Sequence, residues 1–189
     1  MKESERKVKG VEVKWIQLAK QGDEEVLTRV VDTYYQQIYQ YISRLMEDQM
    51  LAQDLTQETF IKMLKALPRY DPKRAKFSTW LYTIATNLCR DYWRKKQPEM
   101  METDDLDILT GGYPGELKKW EVKHLVQDAL NILPFRQRIP IYLAYVQGMS
   151  YEEIGEICRC PVGTVRSRIH YGLKKLRQWF EKMEVSEKR

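Results

Sequence analysis

Long apolar runs are missing from this sequence. The longest, Ile139–Val146, is eight residues and contains a proline, far short of the roughly 20 that a membrane-spanning helix needs. The opening MKESERKVKG is charged and no apolar segment follows it, so no secretory signal is expected. Cysteine is scarce. The three present, Cys89, Cys158 and Cys160, are an odd number and read as reduced thiols of a cytoplasmic protein, not as a disulfide framework. Histidine occurs twice, and neither a Gly-rich phosphate loop nor a His/Asp/Ser arrangement is present. A catalytic role, a metal and a cofactor are therefore all unexpected. No internal repeat is visible, nor any period-2 alternation long enough to propose a sheet. Secreted, membrane-spanning and disulfide-stapled classes are excluded.

What the 189 residues do contain is charge and helical periodicity: 31% are charged, 43% hydrophobic, and 32 Lys+Arg against 27 Asp+Glu leave +5. The length suits one or two domains of about 100 residues. A mild basic excess makes the placement of charge more informative than its total. Between Gln97 and Leu117 lie six acidic residues and no Lys or Arg, together with Pro98, Gly111, Gly112, Pro114 and Gly115. An acidic stretch with helix breakers reads as a linker. The expected fold is all-α: two small helical domains joined by a flexible acidic linker. The expected divisions are an extension (1–20), a first domain (21–97), the linker (98–117), a second domain (118–183) and a tail (184–189).

In the first domain, Gly22-Asp23 followed by Glu24 and Glu25 suits a helix start. Leu27, Val31, Tyr34, Ile38, Tyr41 and Leu45 then form an apolar stripe. A second helix is expected through Leu51, Leu55 and Phe60, ending at Pro68. Ser78 is the expected cap of a third, with Phe77 and Tyr82 as its staple. Its buried stripe would be Leu81, Ile84, Ala85, Leu88 and Tyr92. In the second domain, Leu125, Ala129, Ile132 and Leu133 suggest a short helix. Pro140 would cost about 3 kcal/mol inside the next one, so that helix is expected to start near Ile139 with Pro140 in its first turn.

The segment after Gly148 is the most informative. Ser150 and Glu153 form a capping-box pattern, with Met149 and Ile154 at staple positions. A two-turn helix follows, Gly155 allowing close approach. The turn Arg159–Gly163 breaks it, and Thr164 is the expected cap of a longer helix with Val165, Ile169, Leu176, Phe180 and Met183 as its core stripe. Arg166, Ser167, His170, Tyr171 and Lys174 lie on another face. From Cys160 to Gln178 there are five basic residues and no acid. A short helix, a tight turn and a basic helix make a helix-turn-helix, whose second helix enters the DNA major groove; a helical hairpin with a solvated basic face is the plainer alternative. Cys158, Cys160 and His170 lack a fourth ligand and match no zinc spacing.

Ser150 through Ile169 (SYEEIGEICRCPVGTVRSRI) resembles region 4.2 of the extracytoplasmic-function (ECF) sigma factors, the promoter-specificity subunits of bacterial RNA polymerase. Asp54–Phe60 (DLTQETF) resembles their region 2.2, and Phe77–Asn87 (FSTWLYTIATN) their regions 2.3 and 2.4. The resemblance implies that Asp54, Gln57 and Glu58, which share a helix face, dock on core RNA polymerase. It implies that Asn87 contacts a base of the −10 element, with Arg90, Arg94 and Lys95 on phosphates. The loop 70–76 matches the family's specificity loop, with Tyr70 the candidate wall for a flipped base and Lys76 at its end. Region 4 would read the −35 element through Arg166, Ser167, His170 and Tyr171, with Thr164, Arg168 and Lys174 nearer phosphates. The partners implied are core polymerase, promoter DNA and an anti-sigma factor, often membrane-anchored. Two other classes share some of these features: a repressor or activator that binds duplex DNA without polymerase, and a nucleic-acid enzyme that turns over alone.

Overall fold

The computed structural model describes residues 14–46, 48–96 and 122–187, with backbone alone for 122–124 and 184–187. The expected linker (98–117) and most of the expected extension lie outside these residues. Among the described residues every regular element is helical. The chain divides into two compact units at Leu88–Cys89.

The first unit begins earlier than the apolar stripe suggests. Residues 14–20 are a helix, α1, that buries Ile16 and Ala19. In α2 (Glu24–Leu45) the Asp23 carboxylate accepts from the Val26 amide at 3.0 Å, and Glu24 and Glu25 occupy the first turn. Both devices offset the exposed amides and partial positive charge of a helix start. Its buried face is Val30, Tyr34, Ile38, Tyr41, Ile42 and Leu45. Leu27 and Val31 stand half-exposed beside it. In α3 (Gln49–Ala66) Asp48 caps the amides of Met50 and Leu51. That helix buries Ala52, Leu55, Thr56, Thr59, Phe60 and Met63. Thr56 and Thr59 donate to the carbonyls of Ala52 and Leu55, each at 2.7 Å, so neither hydroxyl is left dry. Pro68 sits in a 3-10 turn, Leu67–Arg69, where its missing N–H costs little.

Helix α4 (Phe77–Lys96) starts before the expected cap. The Trp80 amide donates to the Lys76 carbonyl at 3.0 Å, so Ser78 is the second helical residue and caps nothing. Phe77 packs edge-on against Tyr34 and Tyr70, while Tyr82 packs edge-on against Tyr41. The buried face is Phe77, Leu81, Tyr82, Ala85, Leu88 and Cys89; Ile84 and Tyr92 are only half-buried. Each fully buried large apolar side chain here stabilises the unit by about 1.5–3 kcal/mol.

The second unit takes in the end of α4 from Cys89 onward, then α5 (Val122–Asn131), α6 (Phe135–Tyr145), α7 (Tyr151–Cys158) and α8 (Val162–Glu187). Helix α5 stops before Ile132, which lies in the following turn. The buried Arg138 reaches back there, donating to the carbonyls of Asn131 (3.1 Å) and Leu133 (3.2 Å). A guanidinium is thus the C-terminal closure of α5. Pro140 departs from expectation: it lies inside α6, which starts at Phe135. The gain that outweighs a lost helical bond is burial, since Gln137 through Leu143 are all buried. The last helix packs on α6 through Gly172, where a β-carbon would overlap Ile141 Cδ1. Its stripe runs Val165, Ile169, Gly172, Leu176, Trp179. Trp179 is 7% exposed and Phe180 40%, so the expected Phe180 is replaced by its neighbour. A step of three, not four, after Leu176 keeps the stripe on one face. The backbone of 184–187, expected as a tail, continues the helix.

Candidate nucleic-acid and docking interfaces

The helix-turn-helix geometry follows from local chemistry. Ser150 Oγ accepts from the Glu153 amide at 3.2 Å, and Glu153 Oε2 accepts from the Ser150 amide at 2.9 Å. That reciprocal pair fixes the start of α7. Its end is Arg159 in the left-handed conformation (φ 54°), an uncommon state for a residue with a β-carbon. The Cys160 amide donates to the Gly155 carbonyl at 3.0 Å, and a β-carbon on Gly155 would stand 3.0 Å from the Cys160 carbonyl oxygen. Gly155 is thus what lets the turn fold back on its helix.

The turn is shorter than expected. Helix α8 begins at Val162, and the amides of Thr164 and Val165 donate to the Pro161 carbonyl at 2.9 and 3.1 Å. Thr164 is therefore the third helical residue and not the cap, and its amide already has an acceptor. Arg166, Ser167, His170, Tyr171 and Lys174 are all exposed along one face. The His170 and Tyr171 rings meet edge-on at 5.4 Å, and Ser167 Oγ donates to the Thr164 carbonyl at 3.0 Å. Arg168 is set apart: half-buried, it directs Nη1 to Cys160 Sγ at 3.6 Å. Burial pushes the Cys158 thiol from its ordinary 9.0 up to about 12, Cys160 adding to the effect. Burial likewise pushes the Cys89 thiol strongly upward. Neither is a ready thiolate ligand, and among the described residues no His, Cys, Asp and Glu form a metal-binding group.

In the first unit, Asp54, Gln57 and Glu58 are exposed on α3, and Glu58 pairs with Lys62 at 3.1 Å. The same face holds three large apolar residues that sequence reasoning passed over: Met50 (77% exposed), Ile61 (50%) and Leu64 (40%). At steps of three and four they flank the polar set, Met50 before it and Ile61 and Leu64 after it, in one mixed stripe. The available signal was large apolar residues lying off the buried face, though exposed apolar residues taken singly mean little.

On α4, Trp80, Thr83, Asn87 and Arg90 are half-buried along one face, and Arg94, Lys95 and Lys96 are exposed at its end. Arg94 pairs with Asp91 at 3.0 Å, and Lys96 lies over the Tyr92 ring at 5.9 Å. The loop before α4 exposes Lys73, Arg74 and Lys76. Tyr70 is not the open aromatic wall expected of it. It is 6% exposed, with its ring against Phe77 and Trp80 (centroids 5.5 and 4.9 Å) and its hydroxyl donating to the Ala75 carbonyl at 2.9 Å. Burial makes it a support of the loop.

Comparison with known proteins finds the same two parts. Residues 30–99 match the family described as Sigma-70 region 2, and residues 123–176 match Sigma-70, region 4. The chain is similar to the ECF RNA polymerase sigma factor SigW of Bacillus subtilis, 38% identical over 87% of this chain and 94% of that one. It is also similar to the ECF RNA polymerase sigma factor SigE of Mycolicibacterium smegmatis, 36% identical over 81% of this chain and 61% of the relative. Among solved structures, the sigma factor RpoE of Bartonella quintana, crystallised with the anti-sigma factor NepR, aligns with TM-score 0.65. The alignment is 24% identical and covers 82% of this chain and 96% of that one.

Proposed function

The chain belongs to the ECF RNA polymerase sigma factors, and on that premise we propose how its own residues share the work of starting transcription. It is a transcription initiation factor: it associates with core RNA polymerase and directs it to promoters through −10 and −35 elements. Phosphodiester chemistry is assigned to the polymerase. The α3 stripe of Asp54, Gln57, Glu58, Ile61 and Leu64 is the proposed docking surface for core. Its acids would set orientation and its apolar residues would supply buried area. Asn87 is assigned to a −10 base, with Lys76, Arg90, Arg94 and Lys95 neutralising phosphates. Helix α8 is assigned to the −35 major groove, Arg166 to a guanine edge, and Ser167, His170 and Tyr171 beside it; Arg168 and Lys174 flank this face. An anti-sigma factor is a proposed regulator, as for the solved relative, and a cytoplasmic location is proposed with it.

The observation that carries this reading is the pairing, in one chain, of an exposed acidic-apolar stripe with a helix-turn-helix whose reading face has no core role. A repressor would need only the second. Reconstitution with core polymerase tests it: a promoter-specific run-off transcript should appear only when this chain is added. Duplex binding without transcript would favour the repressor reading.

A further inference from the structure

Tyr70 is held by every hydrogen-bonding group it owns. Its amide donates to the Leu67 carbonyl at 3.0 Å and its hydroxyl to the Ala75 carbonyl at 2.9 Å. Its own carbonyl accepts from Lys20 Nζ at 2.7 Å, across 50 residues of sequence. Asp71 adds two further bonds, accepting from the Lys73 amide (2.9 Å, side chain) and the Arg74 amide (3.1 Å, carbonyl). The loop 71–76 is thus closed on itself and pinned at its point of departure, leaving Lys73, Arg74 and Lys76 on its outer surface. Lys20 is the last residue of α1, a helix anchored by buried Ile16 and Ala19. A charged donor on a main-chain carbonyl is among the stronger hydrogen bonds a partly buried site can hold.

From this we infer that Lys20 is a positioning residue for promoter opening. It fixes the direction in which the chain leaves Tyr70, so that the basic loop meets the unpaired −10 strand already ordered. An ordered loop loses less conformational entropy on binding than one that must fold onto its ligand. Lys20 touches no DNA in this arrangement; it acts through Tyr70. The inference rests on the sigma-factor reading above and extends it to a helix outside the matched region-2 span.

The test uses holoenzyme reconstituted from core polymerase and full-length Lys20→Met, Lys20→Arg and Tyr70→Phe chains. A promoter is first selected from random duplex DNA by the wild-type holoenzyme. The probes are its non-template −10 strand as single-stranded DNA and a duplex carrying only its −35 half. Lys20→Met and Tyr70→Phe should weaken single-strand binding about three- to tenfold, the size expected for one lost hydrogen bond. Binding of the −35 duplex should stay within about twofold, and Lys20→Arg should restore the single-strand affinity, because it keeps a charged donor. Unchanged single-strand binding in Lys20→Met overturns the inference. So does an equal loss on both probes, or a failure of Lys20→Arg to rescue. A wild-type holoenzyme that selects no promoter would instead overturn the sigma-factor reading itself.

Discussion

The hydroxyls of Tyr41 and Thr86 lie 2.7 Å apart in the first unit, both side chains closed to solvent. They join α2 to α4 beneath the face that carries Asn87. A buried hydroxyl deprived of its partner loses more than the bond is worth, because it has already given up water. Thr86→Val should therefore cost about 1–3 kcal/mol in chemical denaturation. The double variant Tyr41→Phe/Thr86→Val should cost clearly less than the two single changes added together. Strict additivity would mean that the pair is not coupled.

Docking on core polymerase makes a second prediction. Gln57 and Glu58 are exposed on α3 and Ile61 lies beside them. The double change Gln57→Ala/Glu58→Ala should weaken core affinity by about 1–3 kcal/mol while leaving helical content intact. Ile61→Ala should weaken it too, through lost apolar burial of about 1–2 kcal/mol. Competition against the wild-type chain measures both, and full affinity in all the variants would remove α3 from the interface.

The base and phosphate contacts proposed for α4 can be told apart. Asn87→Ala should change the ranking of −10 variants, whereas Lys95→Ala should weaken all of them about equally, since a phosphate contact carries no sequence information. The same response to a panel of −10 variants in both would defeat the assignment of Asn87.

On α8, Arg166→Ala should cost about 1–3 kcal/mol and relax preference at one base pair of the −35 element. Lys174→Ala should lower the salt slope of binding by about 1 and spare preference. Unaltered base preference in Arg166→Ala would place the recognition helix wrongly in the groove.

The thiols supply a pH test. Cys158 is pushed from 9.0 to about 12, chiefly by burial, so its folded form stays protonated where the unfolded chain ionises. Its contribution to stability is intact below the unfolded value near 9, and drains as pH rises from there towards 12. At pH 8 a thiol reagent should label Cys160, which is half-exposed, well before Cys158 or Cys89. Equal rates for all three in the native chain would contradict the burial.

Much of this was legible in the sequence because it is local. The helix start at Gly22-Asp23, the Ser150–Glu153 capping box and the helix-turn-helix order depend on residues within three or four positions of one another, and these hold. What escaped depends on contacts distant in sequence. Pro140 is tolerated inside α6 because that helix is buried along most of its length, which no count of breakers reveals. Thr164 and Ser78 looked like caps by residue type, yet each helix begins one or two residues earlier, with Pro161 and Lys76 supplying the first acceptor. The burial of Tyr70 and the reach of Lys20 join segments 50 residues apart, and a periodicity reading of residues 1–20 as an extension could not anticipate them.

The tight turn from Gly155 to Val162 also has a bearing on engineering. Its shape is set by the left-handed Arg159, the Cys160–Gly155 hydrogen bond and the close approach at Gly155, none of which involves Arg166, Ser167, His170, Tyr171 or Lys174. Those five can be exchanged as a cassette without disturbing the frame that presents them. With the −35 reading proposed for them, such exchanges would yield mutually insulated regulators, one scaffold re-addressed to new promoters while its hold on the transcription machinery stays the same.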